Sequence, residues 1–172
     1  MTATALEDWL LDTALAPEPE HDALAPLYRA ALRNELALPF CASCAQPLEL
    51  DQEVCDHCGG TDHDWRTVEL SGTVHAATLM HRREPGLVHA EAPYPIIDVE
   101  MDSGHRIVMT TTQPADTPPQ IGVKVRIGFR RLGDVAIPAI DTLHHEIANQ
   151  VNQVGDTGGK MRVATASTKE HP

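Results

Sequence analysis

All four cysteines of the 172-residue chain, Cys41, Cys44, Cys55 and Cys58, fall in one window, LPFCASCAQPLELDQEVCDHCGGTDHDW. The spacing C-x2-C-x10-C-x2-C lets two knuckles converge four thiolates on one ion, tetrahedrally and at about 2.3 Å when the ion is zinc. Four thiolates leave zinc no open position, so such an ion holds the chain and does not activate water. The segment QPLELDQEV and its flanks offer too few apolar residues for a core. Metal binding of this kind contributes roughly 10 to 16 kcal/mol to folding, and without it the segment is expected to unfold. The competing readings are two disulfides, an iron site or a redox C-x-x-C pair. His57 and His63 lie near by, but four sulfurs leave them no vacancy.

Other chemistry-bearing residues fit less specific patterns. His81, His89, His105, His144 and His145 form no Ser/His/Asp or Cys/His arrangement, and surface positions are expected for them. HHEIANQ lacks the second histidine of a zinc-protease helix, and GDTGGKM is one residue short of a phosphate loop and has Met161 where Ser or Thr is required. Asp98, Glu100 and Asp102 alternate along one strand face; an acid/base pair is one reading, and an exposed polar face is the simpler one.

The elements that must position these residues follow from their periods. Thr4-Ala5-Leu6-Glu7 reads as a capping box, with Leu6, Leu10 and Ala14 then at helical spacing. Beyond a linker, APEPEHD, a second helix opens near Pro26, lines Leu24, Leu27, Tyr28, Ala31 and Leu32 along one face, and ends at Asn34. After the cysteines the period becomes two in GTVHAATL, YPIIDVEM and HRIVMTTT, the last two joined by an Asp102-Ser103-Gly104 turn. From Gly122 to Arg130 the residues Val123, Val125, Ile127 and Phe129 face one way and Lys124, Arg126 and Arg130 the other. VAIPAI completes the set. Short antiparallel strands without intervening helices need their edges protected, and closure into a small barrel does that. Pro93-Tyr94-Pro95 suits the entry to a barrel strand, a structural role. The fold expected is mainly β: N-terminal helices (1–38), a rubredoxin-like zinc ribbon (39–66), an OB-fold β-barrel (67–140) and a mobile or partner-contacting tail (141–172).

The charge balance, 13 Lys and Arg against 25 Asp and Glu for a net of -12, opposes the phosphate neutralisation that nucleic-acid binding needs. Only 2 Phe, 2 Tyr and 2 Trp are present for base stacking. No stretch approaches a membrane span, and the start is acidic where a signal peptide is basic, so a cytoplasmic location is expected.

In PLYRAALRNELALPFCASC, CDHCGG, W-x4-L-SGTVHAAT, HRREPG, APYPIIDVEMDSGHRIV, IGVKVRIGF and IPAI, taken in order, the chain resembles the zinc-ribbon plus OB-fold proteins once catalogued as a domain of unknown function. The resemblance covers roughly 26–140. It departs at Ala45, where a glycine is usual after the first knuckle, and in the long tail. It implies a non-catalytic accessory subunit of a thiolase-superfamily acyl-CoA enzyme, performing thiolysis, acyl transfer or retro-aldol cleavage. The partner's own residues would supply the chemistry, in a heteromeric assembly around a partner dimer. The alternative partner is a MaoC-like enoyl-CoA hydratase; a single-stranded nucleic-acid-binding OB protein is a further alternative, and a stand-alone enzyme finds no constellation here. Under this reading a coenzyme A thioester lies at the partner interface, and Arg82, Arg83, Lys124, Arg126 and Arg130 are candidates for its phosphates. The bland reading of that basic stripe is solvation or pairing with local carboxylates.

Overall fold

The computed structural model of the protein describes residues 6–81 and 84–141. Five strands make a barrel: β4 (Ser71–Met80), β5 (Tyr94–Met101), β6 (Arg106–Met109), β7 (Lys124–Leu132) and β8 (Val135–Ile140). β4 pairs antiparallel with β5 and with β7, β5 with β6, and β7 with β8. The ring closes where the chain just after β6 meets the end of β8 in parallel, Thr111 opposite Ile140. There the Thr112 amide donates to the Ile140 carbonyl and the Ile140 amide to the Thr110 carbonyl, both at 2.8 Å. This is the nearly closed, five-stranded geometry of an OB barrel.

The alternation expected from sequence fills it. Val125, Ile127 and Phe129 of β7 meet Val74, Ile97, Val99, Met101, Ile107 and Met109 in one core. The β5–β6 hairpin turns at 102–104 as expected, with Gly104 at φ 88°. Helix α1 (Ala25–Ala31) opens with proline in its first turn and adds Leu27, Tyr28 and Ala31 to the same core. It stops at Asn34, which takes φ 58°: Asn34 N–H reaches the Ala31 carbonyl and Glu35 N–H the Ala30 carbonyl, a Schellman closure. Leu32, assigned to the buried face, is exposed.

The first expected helix is absent. Leu6–Glu7 instead forms a short strand, β1, parallel to β7, and Thr13–Leu15 is a single 3-10 turn capped by Asp12. Main-chain pairing with β7 takes this segment instead: the Asp8 amide donates to the Arg131 carbonyl at 2.8 Å, and Asp8 Oδ1, which accepts the amides of Leu10 (2.8 Å) and Leu11 (2.7 Å), also meets Arg130 Nη1. Leu11 then bridges to Val88 in the loop between β4 and β5. We term residues 6–16 the strap.

β2 (Leu36–Cys41) and β3 (His63–Val68) form a separate two-stranded sheet carrying the cysteine loops at its far end. Arg82, Arg83 and the tail from 142, including His144, His145, HHEIANQ and GDTGGKM, lie outside the described residues. Among the described residues, no helix is long and apolar enough to cross a membrane.

Candidate metal centre and charged faces

The two cysteine knuckles repeat one backbone pattern. The Cys41 amide bonds to the Gln46 carbonyl and the Ala45 amide back to Cys41; the Cys55 amide bonds to the Gly60 carbonyl and the Gly59 amide back to Cys55. Both turns need a left-handed residue, and Ala45 (φ 60°) takes that conformation as Gly59 (φ 74°) does. The four sulfurs lie within 4.8 Å of one another. Cys41 to Cys58 is 3.5 Å and Cys44 to Cys55 is 3.6 Å, both across knuckles. The edge of a tetrahedron of sulfurs around zinc is roughly 3.8 Å, so the cluster has the right size for one ion. The cysteines are free, with these separations well beyond a disulfide bond, which removes the disulfide reading for this state. Gly60 keeps the cradle open, since a Cβ there would come within 3.3 Å of the Cys41 and Cys58 sulfurs.

Without an ion the sulfurs compete for protons. The Cys44 amide pulls the Cys41 thiol down to about 6. The Gln46 amide also pulls on Cys44, but burial and the neighbouring sulfurs outweigh it and push that thiol up to about 12. A cation at the centre would take the place of the protons the cluster cannot otherwise shed. His63 is not part of this set; its Nε2 contacts the Glu53 carbonyl at 3.1 Å.

His105, expected at the surface, is instead 4% exposed at the joint between ribbon and barrel. Its Nε2 is 2.8 Å from the Pro39 carbonyl, which can only accept, so Nε2 carries the proton and Nδ1 accepts from the Ser103 hydroxyl at 2.9 Å. The ring stands edge-on to Phe40, centroids 4.7 Å apart. Desolvation holds its pKa below the ordinary histidine value.

The basic stripe is largely spent within the chain. Lys124 pairs with Asp102, which also accepts from the Ser71 hydroxyl at 2.6 Å. These contacts, Lys124 first, hold the Asp102 carboxyl below its usual range. Arg130 is not on the exposed stripe: it is 3% exposed, and its Nη1 meets Asp8 Oδ1 at 2.8 Å. The strap covers it, with the Trp9 ring 6.0 Å from the guanidinium. Trp9 is itself fixed by donating from Nε1 to the Thr111 carbonyl at 2.9 Å. Arg126 stays exposed in a groove lined by Asn34, Glu35, Glu69 and Ser71. The three alternating carboxylates divide: Asp98 binds Arg106, Glu100 faces His75 at 3.8 Å, and Asp102 holds Lys124. Asp8, Trp9 and the buried role of His105 were missed from sequence. Their one signal was a tryptophan beside an acid inside a pattern that otherwise reads as helix.

Residues 65–130, from the last ribbon strand to β7, match the family described as the ChsH2 C-terminal OB-fold domain. A solved chain described as "Ltp2-ChsH2(DUF35) aldolase" superposes on 73% of this chain and 98% of its own, with a TM-score of 0.60 and 25% identity. The barrel half of the chain is thus similar to that OB-fold family, and the four-cysteine cluster ahead of it is consistent with the zinc ribbon of such proteins. Within the DUF35 family, a protein of unknown function from Sulfolobus solfataricus aligns over 70% of this chain and 85% of its own at 10% identity and a TM-score of 0.47, too distant to weigh. Over 98 residues the chain is 31% identical to a probable enoyl-CoA hydratase alpha subunit of Thermomonospora curvata, covering 57% of this chain. It spans only 30% of that relative's length.

Proposed function

We propose that this chain is a non-catalytic accessory subunit of a heteromeric acyl-CoA enzyme in the cytoplasm, with a structural zinc ion held by Cys41, Cys44, Cys55 and Cys58. The observation that carries the reading is the superposition on nearly the whole of a chain from a described aldolase complex. In this reading the ribbon is residues 39–66 and the barrel 67–140. Zinc would cross-link the two knuckles and offer no coordination site for a substrate. The chain's own residues then position: the His105 bond to Pro39 sets the ribbon against the barrel, and the barrel presents a fixed surface to the partner. Of the proposed phosphate contacts in the described residues, Lys124 and Arg130 already hold Asp102 and Asp8. Arg126 is therefore the residue of that stripe to which we assign a contact with the coenzyme A thioester.

For the partner we favour a thiolase-superfamily subunit that performs thiolysis, acyl transfer or retro-aldol cleavage. A MaoC-like hydratase is the second reading, and the hydratase alpha-subunit relative favours it. Native mass spectrometry of the tagged chain, isolated gently from its source cells, tests both. A co-eluting thiolase-like or hydratase-like subunit, with one zinc per chain, is the expected result and names the chemistry. A partner-free chain that turns over a coenzyme A ester or binds oligonucleotides would overturn the reading.

A further inference from the structure

The outer face of the β4–β5–β6 sheet departs from what a solvated antiparallel sheet presents, which is a polar row on every strand. Inward-facing Ile97 and Val99 fix the phase of β5, so Ile96, Asp98 and Glu100 point outward. The registers set out the rows: Thr78 lies opposite Ile96, Ala76 opposite Asp98 and Asp98 opposite Val108. A bulge between Val74 and Ala76 re-aims β4 so that Ala76, Thr78 and Met80 all face out. Val108 is 65% exposed at the far side of this surface. At its upper end the same face is already covered by apolar packing, because the Trp9 ring of the strap stands edge-on to Tyr94, 6.4 Å between centroids.

Asp98 binds Arg106 within the sheet, and Glu100 lies at the edge of the face, 3.8 Å from the His75 ring. The centre of the surface is small and apolar, with an ion pair, Asp98 with Arg106, beside it. It lacks the exposed aromatics that stack bases, and Asp98 and Glu100 would meet a phosphate backbone. Depletion of unmatched charge around an apolar centre is the composition of a protein-binding surface.

We propose that the outer face of β4, β5 and β6, centred on Ala76, Thr78, Ile96 and Val108, is where this chain docks a different polypeptide, one with an uncharged apolar centre and a neutral or basic rim. The charge balance decides between occupants: a second copy would bring another -12 chain against this one, whereas a neutral or basic rim complements a chain of that net charge. The inference rests on the accessory-subunit reading and adds to it the surface through which the acyl-CoA enzyme subunit is held.

The test uses the full-length tagged chain expressed in its source cells, as wild type and as Val108→Lys, with a substitution at the exposed Glu20, Glu20→Ala, as a control away from this face. Val108 already points to solvent, so the lysine leaves the barrel intact, which circular dichroism and zinc content verify. Expected is co-purification of one acyl-CoA enzyme subunit with wild type and with Glu20→Ala, and at least ten-fold less with Val108→Lys. Equal recovery with Val108→Lys would overturn this face while leaving the accessory reading standing. A wild-type chain that recovers no such subunit overturns both. A homodimer that Val108→Lys dissociates would also overturn the proposal, by naming another occupant.

Discussion

Ribbon and barrel are held together by different physics, although His105 joins them. In the barrel, thirteen buried strand residues share one apolar cluster with five more from α1 and β2, and a ring of main-chain bonds leaves few strand edges to water. In the ribbon the buried cluster is Cys41, Leu48 and Cys55, so a single leucine stands in for a core. What is missing in apolar area has to come from four sulfurs and an ion. One module is specified by a distributed pattern that tolerates local change, the other by four points that do not.

Loss of the metal separates the two most sharply. Cys44→Ala or Cys58→Ala, or a strong chelator, should unfold the ribbon while the barrel persists, because roughly 10 to 16 kcal/mol of folding free energy resides in the metal bonds. Amide exchange resolved along the chain checks this, and a ribbon that stays protected without metal would erase the distinction drawn here. Within the barrel the largest single loss should come from Asp8→Ala, which strands a buried guanidinium and costs about 3 to 5 kcal/mol. The double variant Asp8→Leu with Arg130→Met should recover most of it in urea melts. Ile97→Ala should cost about 2 to 5 kcal/mol by leaving a cavity, with one zinc still bound per chain.

The joint gives a smaller effect, and it depends on pH. His105 has a folded pKa below its unfolded value near 6.5, so its contribution is complete above that value. As pH falls through 6.5 the unfolded chain takes up the proton first, and stability drops until the folded pKa is reached. An imidazole NMR titration should show His105 taking up its proton at a pH below the ordinary histidine value, and His105→Gln should flatten the stability profile as pH falls below about 6.5. The smallest effect belongs to the first knuckle. Ala45→Gly relieves a left-handed alanine and should raise the metal-loaded ribbon's stability by about 1 kcal/mol, read as slower zinc transfer to a chelator. Gly59→Ala should do the reverse at the second knuckle.

Strand positions, the 102–104 turn, the helix opening at Pro26 and its end at Asn34 were legible because each is local: period two, turn chemistry, a proline, a residue tolerant of positive φ. The thiolate cluster was legible from spacing for the same reason. Residues 6–15 were not. Their apolar spacing is that of a helix, and only the approach of Arg130, 122 residues away, makes Asp8 worth more as an ion-pair partner and turn former. The basic stripe failed in the same way, since alternation places Arg130 on the outer face but says nothing of a strap lying over it.

By itself, then, the sequence determined which segments alternate, where they turn and which four sulfurs share a site, because nearest-neighbour stereochemistry and ligand spacing act over a few residues. Only the tertiary structure decided that Arg130 is buried and Arg126 is not, that His105 joins ribbon to barrel, and that Asp98 on the outer sheet face is held by Arg106. Each of these depends on which strand lies beside which, and that follows from barrel closure.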